Sequence, residues 1–323
     1  MHFRKLLFIL VVAPLLWSCS EDDNNDIVAV APLLLSEVEP VDEVNIREYL
    51  QTHFYNYEEF NNPPADFDFK IVIDTIEGDN VEKTPLIDQV ESATISVSSG
   101  DEFGLEVDET IIHTYYYLVA REGTGVSPSV ADSTFVRYEG SLLNGTSFDS
   151  ALNSPIWFDL SQIQAPQMGA RGFTEGMVNF RGGGQAVVNE DGTFEVEDYG
   201  VGMMIFPSGL GFFNAIQGSI PQYSPLIFTV DLFTTEQTDH DGDGIPSIME
   251  DLNGDGYLYN DNTDEQDEED RGILVRFVNF LDPDDDADGI PTREEISDDD
   301  GNIIFPYPDT DGDGTPDYLD SDS

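Results

Sequence analysis

The chain has 323 residues, and 66 Asp and Glu against 12 Lys and Arg give it a formal net charge of −54 at pH 7. This excess of acid excludes nucleic acid as a partner, because its phosphates would be repelled. The hydrophobic fraction of 39% still allows a folded core, while the single cysteine, Cys19, excludes an intramolecular disulfide and a multi-thiolate metal site.

Residues 1–19 predict a cleaved secretory signal. A short basic start precedes an apolar run of about a dozen residues, which is shorter than the ~20 residues of a membrane-spanning helix. Residues 16–19 resemble a bacterial lipobox, which implies that Cys19 is lipidated and becomes the first residue of the mature protein. The alternative is an ordinary signal peptide with a chance cysteine.

Residues 20–26 form an acidic tether that resembles the surface-export signals of Bacteroidetes lipoproteins. The resemblance implies a secreted bacterial lipoprotein of the outer membrane, held to the membrane by its N-terminal lipid anchor. The cell surface is the expected location. A solvated linker would have the same composition, so a periplasmic location stays open.

Residues 20–110 are predicted to contain this tether and an N-terminal extension without a chemical signature. Apolar residues at helical spacing predict a helix over residues 44–57, and alternation predicts a strand over residues 67–76. The polar residues 98–102 predict a loop. The extension is expected to pack on, or to space, the domain that comes after it in the chain.

Residues 111–235 consist of short aromatic and β-branched runs separated by glycine and proline, which predicts an antiparallel α+β domain. One short helix is expected over residues 173–180. The expected strands cover residues 114–121, 133–143, 155–159, 185–188, 193–196, 202–206 and 226–233.

Five segments of this domain resemble, in order along the chain, the FKBP family of peptidyl-prolyl cis-trans isomerases. They are residues 136–140 (VRYEG), 144–150 (NGTSFDS), 171–177 (RGFTEGM), 206–212 (FPSGLGF) and 224–232 (SPLIFTVDL). The resemblance implies a curved antiparallel sheet around one short helix. It also implies a rotamase that needs no cofactor and acts on proline-containing peptides or unfolded proteins.

The resemblance, carried across position by position, implies a pocket that binds the prolyl residue. Rotation about an X-Pro bond faces a barrier of ~18–20 kcal/mol, and an apolar cup favours the less polar twisted amide over the planar one. The N–H of Ala170 would donate to the substrate carbonyl, and Asp149 would accept hydrogen bonds at the pocket edge. The implied lining is Tyr138, Phe148, Asp149, Phe158, Phe173, Phe212, Ile220 and Phe228.

Several positions depart from the family pattern and leave a second function open. Phe173 replaces the floor tryptophan, and Phe212 lacks the hydroxyl of the usual tyrosine. Ile156 stands where an aromatic wall is common, Phe213 replaces a glycine, and residues 185–201 resemble an inserted hairpin. The alternative is therefore a catalytically weak, peptide-binding chaperone with the FKBP fold. These aromatic residues could also be ordinary core.

Residues 236–323 form an acidic tail, since the last 86 residues contain 29 Asp or Glu and three Arg. Without neutralisation such a segment repels itself. Acids recur at loop positions 1, 3, 5 and 12 with glycine at 6, an arrangement that suits structural Ca²⁺. With the carbonyl at position 7, the expected ligands are Asp239, Asp241, Asp243, Ile245 and Glu250; Asp284, Asp286, Asp288, Ile290 and Glu295; and Asp309, Asp311, Asp313, Thr315 and Asp320.

Proline at position 8 argues against paired EF-hands, because proline lacks the N–H that joins their loops. Residues 239–246 and 309–316 instead resemble thrombospondin type 3 repeats, which implies a loop-rich tail ordered by calcium. Partial copies start at Asp251 and Asp298, and residues 265–276 interrupt the series, so the number of ions stays open. The alternatives are a solvated spacer and a calcium-dependent surface adhesion module.

Overall fold

The computed structural model describes residues 31–167, 169–185, 187–189, 194–273 and 277–322. The predicted signal peptide, Cys19 and the acidic tether therefore lie outside the described residues. Residues 33–323 form one unit by their contacts. In the described part of the chain, no helix has the length and apolar character needed to cross a membrane.

The architecture mixes helices with antiparallel sheets, and most strands lie between residues 91 and 236. In chain order the helices and strands are α1 (Leu35–Thr52), β1 (His53–Tyr55), α2 (Tyr57–Asn61), β2 (Ile73–Thr75), β3 (Glu91–Ser98), α3 (Ser99–Phe103), β4 (Thr110–Arg121), β5 (Ser133–Leu142), β6 (Ser147–Ser150), β7 (Ile156–Asp159), α4 (Leu160–Ile163), α5 (Arg171–Met177), β8 (Val187–Val188), β9 (Phe194–Glu195), β10 (Gly200–Phe206), β11 (Leu226–Glu236), α6 (Glu265–Arg271) and α7 (Thr292–Glu295).

The main sheet of the described chain has the strand order β3-β4-β10-β11-β5-β6, and β7 also pairs with β5. Its register places Phe228 of β11 opposite Gly140 of β5. A Cβ atom at position 140 would lie 2.5 Å from the Phe148 ring and 2.9 Å from the Phe228 ring. Glycine is therefore the residue that lets both rings pack over this part of the sheet.

The sheet starts before residue 111, where the domain was expected to begin. β3 pairs with β4 from Glu91, opposite Tyr117, to Ser98, opposite Thr110. Residues 98–102, predicted as a loop, end β3 and start α3, because the Ser98 hydroxyl caps that helix by accepting from the N–H of Asp101 at 3.2 Å. The extension thus contributes an edge strand to the sheet.

The helix of the extension also differs from its predicted bounds. α1 begins at Leu35, nine residues before the predicted start, and contains Pro40. Proline usually ends a helix, but here it lies in the second turn and removes only one backbone hydrogen bond. The helix ends at Thr52, because the next residues form β1 and pair with β2. Of the strand predicted over residues 67–76, only residues 73–75 form β2 within the described chain.

Both faces of the main sheet are covered. On one face Phe173 of α5 and Phe206 belong to the larger apolar core. On the other face Ile46 of α1 and Met203 belong to a second core. β10 is consequently buried at every residue, although antiparallel sheets commonly leave one face in water. The extension therefore packs on the sheet rather than acting as a spacer.

A buried carboxylate holds α1 to the chain after β10. Asp42, only 2% exposed, accepts hydrogen bonds from the N–H and the hydroxyl of Ser208 at 2.8 and 2.5 Å. Burial raises the pKa of Asp42 to about 6, although the bonds from Ser208 oppose the rise. The folded protein therefore binds this proton more tightly than the unfolded chain does.

We expect Asp42→Asn to remove part of the pH dependence of stability. Because folding raises this pKa from 3.8 to about 6, the Asp42 contribution to stability falls as the pH rises through that window. The difference in unfolding free energy between wild type and variant should change by up to about 3 kcal/mol across it. Urea unfolding in calcium at several pH values measures this. The exposed Glu48→Gln is the control, and a pH-independent difference for Asp42→Asn would contradict the prediction.

The tail consists of loops and short helical turns with two small apolar clusters. Ile245, Ile296 and Tyr318 form one cluster within the tail. The other joins Leu258 and Phe280 to Ala131, which precedes β5. The second cluster packs the tail against the chain that carries the main sheet.

Candidate functional site

A cavity of about 420 Å³ lies beside β5, α4, α5 and β11. The residues expected from the resemblance all line it: Tyr138, Phe148, Asp149, Phe158, Ala170, Phe173, Phe212, Ile220 and Phe228. The lining also contains residues that the sequence did not indicate: Gln162, Ile163, Gln217, Gly218 and Ser219. The structure thus brings the whole expected set together around one space.

Aromatic rings form the floor and walls of this cavity. The Phe173 ring lies edge-on to Phe158 and Phe228, with centroid distances of 5.4 and 5.0 Å. Phe148 meets Phe228 edge-on at 5.5 Å, and Phe206 stacks behind Phe228 at 5.8 Å. Each such pair contributes ~0.5–1.5 kcal/mol beyond its buried area. The rings that line the cavity therefore support one another.

Tyr138 and Asp149 form a polar pair at the pocket edge. The Tyr138 hydroxyl donates to Asp149 Oδ2 at 2.5 Å, and Asp149 Oδ1 accepts from the N–H of Ser150 at 2.9 Å. Burial, and then the bond to Asp149, raises the pKa of Tyr138 well above its ordinary value. The hydroxyl is consequently a permanent donor that orients the carboxylate.

The N–H expected to bind the substrate carbonyl is already engaged. The Ala170 N–H donates to the carbonyl oxygen of Ile163 at 2.6 Å. The chain between α4 and α5 folds back tightly here, and a Cβ atom on Gly169 would clash with the Ile163 and Ala165 carbonyl oxygens. The role of the Ala170 N–H as the donor to a substrate carbonyl stays a prediction. A ligand carbonyl must share that N–H or displace Ile163.

Two local motifs place the lining residues that the sequence did not indicate. Asp159 caps α4 by accepting from the N–H of Ser161 at 3.1 Å, which sets the following residues, 162 and 163, at the rim. Gln217 and Ile220 exchange backbone hydrogen bonds of 3.2 and 2.9 Å around a turn. The Asp-x-Ser cap after a strand and the Gly-Ser turn are the signals that could have found them.

In the described tail, carboxylates of each full repeat approach one another. Oxygen atoms of the acids at positions 1, 3 and 5 lie within 4.8 Å of one another in all three repeats. A mixed group joins Asp243 and Glu250 of the first repeat to Asp285 of the second. Asp285 was not predicted, because position 2 of a loop is no ligand position in the pattern.

The loops themselves share one hydrogen-bonding pattern. Asp239 accepts from the N–H groups of Gly242 and Gly244 at 2.8 and 3.1 Å, and the third repeat reproduces both distances at Asp309. The glycines at position 6 have φ values of 106°, 97° and 105°, a region that favours glycine. In each loop the N–H group of the position-7 residue, which is Ile245, Ile290 or Thr315, donates to the side chain of the aspartate at position 5.

The donor chemistry of these groups fits an oxygen-seeking cation. Burial, then neighbouring carboxylates, raises the pKa of Glu250 to about 10 and that of Asp285 to about 9. Buried carboxylates without donors require a proton or a cation, and an oxygen-only set suits Ca²⁺ better than Zn²⁺. Within the described chain, the buried oxygens that accept no hydrogen bond include Asp241 Oδ2, Asp243 Oδ2, Glu250 Oε1 and Oε2, Asp284 Oδ1, Asp285 Oδ1, Asp286 Oδ2 and Glu295 Oε2.

The position-12 acids of the last two repeats lie outside the groups of three acids within 4.8 Å of one another in their loops. Burial, then Asp286 and the other acids of its loop, raises the pKa of Glu295 to about 8. Asp320 accepts a hydrogen bond from the N–H of Asp322 at 3.3 Å. The ligand roles of Glu295 and Asp320 stay predictions.

Comparison with known protein families gives one match in the region that contains the cavity and a second match in the tail. Residues 125–233 match the family model for FKBP-type peptidyl-prolyl cis-trans isomerase. This part of the chain is FKBP-like. Residues 240–308 match a second family model, described as BamM C-terminal.

Curated relatives match the FKBP-like region. The FKBP-type peptidyl-prolyl cis-trans isomerase FkpA of Aeromonas hydrophila is 32% identical over 130 residues, which are 39% of this chain and 40% of that protein. A probable FkpA of Neisseria meningitidis serogroup B is 31% identical over 113 residues, 34% of this chain and 39% of the relative. The chain thus spans about two fifths of the length of these relatives.

Among solved structures, FkpA from Escherichia coli is 27% identical and covers 38% of this chain and 48% of its own, with a TM-score of 0.30. The cavity described above lies within the region that matches the family model, residues 125–233.

Two departures of the FKBP-like region have a structural explanation. Phe213, which replaces a glycine, has a φ of 41° and is 1% exposed. Its ring lies 5.0 Å from Phe103 of α3 and 5.2 Å from Tyr223, so it packs the extension against this region. Ile156 is absent from the cavity lining and pairs with Val136 within the sheet.

Arg171, the first residue of α5, connects the FKBP-like region to both flanking parts. Its guanidinium binds Glu102 of the extension at 2.7 Å and Glu175 of α5 at 3.2 Å. It also donates to the Asp255 carbonyl of the tail at 2.9 Å and lies 4.8 Å from the Tyr257 ring centroid. Burial raises the pKa of both carboxyls to about 7, although Arg171 opposes the rise.

Proposed function

We propose that the protein is a secreted peptidyl-prolyl cis-trans isomerase whose FKBP-like region accelerates rotation about X-Pro bonds of peptides or unfolded proteins. One observation carries the proposal: the cavity contains every lining residue that the family resemblance implies, within the region that matches the family model. The fine fold proposed for this region is a curved sheet around α5.

The mechanism follows from the apolar character of the pocket. Rotation breaks no covalent bond, so it needs neither a nucleophile nor a proton transfer. Phe173 and Phe228 would support the prolyl ring from below, while Phe148 and Phe158 would exclude water from its sides. Twisting reduces amide resonance and polarity, so this environment binds the twisted state more tightly than the planar one.

Exchange NMR on a Leu-Pro peptide with the mature protein in millimolar calcium tests the proposal. We expect accelerated cis-trans exchange, and we expect Phe148→Ala to reduce the acceleration about tenfold or more, a loss of ~1.4 kcal/mol of transition-state binding. Phe305→Ala is the control, because Phe305 lies in the tail and is 76% exposed. A folded wild type that gives no acceleration would rule out the isomerase.

A peptide-holding chaperone with little isomerase activity is the second candidate. The Ala170 N–H is engaged by Ile163, and Phe212 brings no hydroxyl to the cavity. Both features reduce the hydrogen bonds available to a twisted amide. In the same experiment, peptide resonances that shift on titration without faster exchange would identify this candidate.

We propose further that the repeats of the tail hold structural Ca²⁺, supported by their buried, unpartnered carboxylate oxygens. Extracellular calcium modules bind with dissociation constants of ~10⁻⁴ to 10⁻³ M, which suits a protein outside the cytosol. That location, at the outer membrane through a lipid on Cys19, is proposed from the sequence pattern alone. The mass of the processed N-terminus distinguishes a lipoprotein from an ordinary secreted protein.

A further inference from the structure

We propose a divalent-cation site outside the repeat pattern, formed by Asp264, Glu268 and Asp282. Asp264 directly precedes α6, Glu268 lies on α6, and Asp282 precedes the second full repeat. The site therefore lies at the interruption of the repeat series, where the spacing of acids predicts no ion. It goes beyond the three loops proposed above, although Asp282 also accepts a hydrogen bond from the N–H of Asp284, the first acid of the second loop, at 3.1 Å.

Hydrogen bonds hold the two segments of this site together. The N–H of Asn279 donates to the Asp261 carbonyl at 2.9 Å, and its side chain exchanges hydrogen bonds of 2.8 and 2.9 Å with Thr263. Asn279 is 1% exposed, so these bonds are shielded from water. With the two segments held in this way, one carboxylate oxygen from each of the three acids lies within 4.8 Å of the others.

The state of Asp264 indicates that a ligand is needed. Asp264 is 7% exposed, and its Oδ1 is buried and accepts no hydrogen bond from any residue that the structure describes. Glu268 is only 3% exposed. The guanidinium of Arg271, on the same helix, contacts Asp267 at 3.7 Å and the Ala287 carbonyl at 3.3 Å instead. Burying such carboxylates without a cation is costly.

The donors select a hard cation. Three carboxylates bring only oxygen, which suits Ca²⁺, whereas Zn²⁺ and Cu²⁺ prefer nitrogen or sulfur. Asn262 orients two of the acids, because its Nδ2 donates to Glu268 Oε2 at 3.1 Å and its Oδ1 accepts from the Asp264 N–H at 3.2 Å. Water would complete a six- to eight-oxygen shell.

Calcium titration of the full mature chain by calorimetry and equilibrium dialysis tests the site. We expect Asp264→Asn to bind one ion fewer than wild type, or to bind that ion more than about tenfold more weakly. Asp267→Asn is the matched control, because it removes the same charge three residues further along the chain, on α6, at a side chain that is 55% exposed. Unchanged number and affinity in Asp264→Asn would overturn this site alone, and a wild type without bound calcium would overturn the loops as well.

Hydrogen exchange distinguishes the loss of this site from misfolding of the variant. On adding calcium, amides of residues 262–272 should gain protection in wild type and Asp267→Asn but not in Asp264→Asn, while residues 239–250 gain protection in all three. Glu268→Asp, which keeps the charge on a shorter side chain, should lose protection at residues 262–272 only. Equal protection of residues 262–272 in wild type and Asp264→Asn overturns the proposal.

Discussion

Replacing Arg171 by methionine should lower the free energy of unfolding by about 3–5 kcal/mol. Methionine keeps an apolar stem but removes the guanidinium that Glu102 and Glu175 share, and these side chains are only 7% and 14% exposed. Two buried carboxylates would then lack their counter-charge. Urea unfolding of the calcium-loaded protein, followed by circular dichroism, measures the loss.

The pH dependence of that loss distinguishes a buried charge from lost packing. Both carboxyls have a pKa of about 7 with Arg171 present, and removing the cation raises the folded-state pKa further. The folded variant then binds more protons near pH 7 than the folded wild type does, so its deficit should shrink as the pH falls from 7.5 to 5. Arg181→Met, whose ion pair with Glu122 is half-exposed, should cost no more than about 1–2 kcal/mol. Equal losses for both variants would contradict the prediction.

Removing calcium should unfold the tail while the main sheet stays folded. At 1 mM free calcium, each ion bound with a dissociation constant of ~10⁻⁴ M contributes ~1.4 kcal/mol to stability. Chelation loses this contribution and restores repulsion among 29 acidic residues that only three arginines offset. Hydrogen exchange should therefore show lost protection over residues 239–322 and retained protection in β5 and β11.

Magnesium serves as the control for ionic strength and charge screening. It demands near-octahedral geometry and loses its water reluctantly, so it should restore little of the protection that chelation removes. Tail amides that stay equally protected in chelator and in calcium would contradict the prediction. They would identify a spacer whose order does not depend on ions.

The sequence predicts the parts of the fold that local pattern determines. The strands of the middle region alternate clearly, and β5 and β7 lie within one residue of the predicted bounds. β3 was missed, because its sequence contains only Ile95 and Val97 as buried residues among polar neighbours. Its strand conformation depends on pairing with β4. The start of α1 was missed because the helix tolerates Pro40.

The candidate site was likewise predictable from the sequence only in part. Motif resemblance was sufficient to identify the predicted cavity lining, and most of those side chains lie on strands or on α5, whereas Ala170, Phe212 and Ile220 lie outside them. The hydrogen bond from Ala170 to Ile163 and the approach of Asp285 to Glu250 depend on how the chain folds back on itself. No spacing rule in one sequence encodes such contacts, so they appear only in three dimensions.

The contacts of Arg171 bear on how this protein can be cut for study. An excised piece covering only residues 111–235 would lose the Glu102 carboxylate, the Asp255 carbonyl and the Tyr257 ring that surround the guanidinium. The piece would also expose the edge of β4 that β3 covers. Phe173, two residues after Arg171, forms the pocket floor. Peptide affinities measured on such a fragment would therefore describe a pocket with altered support, and the full mature chain is the appropriate reference.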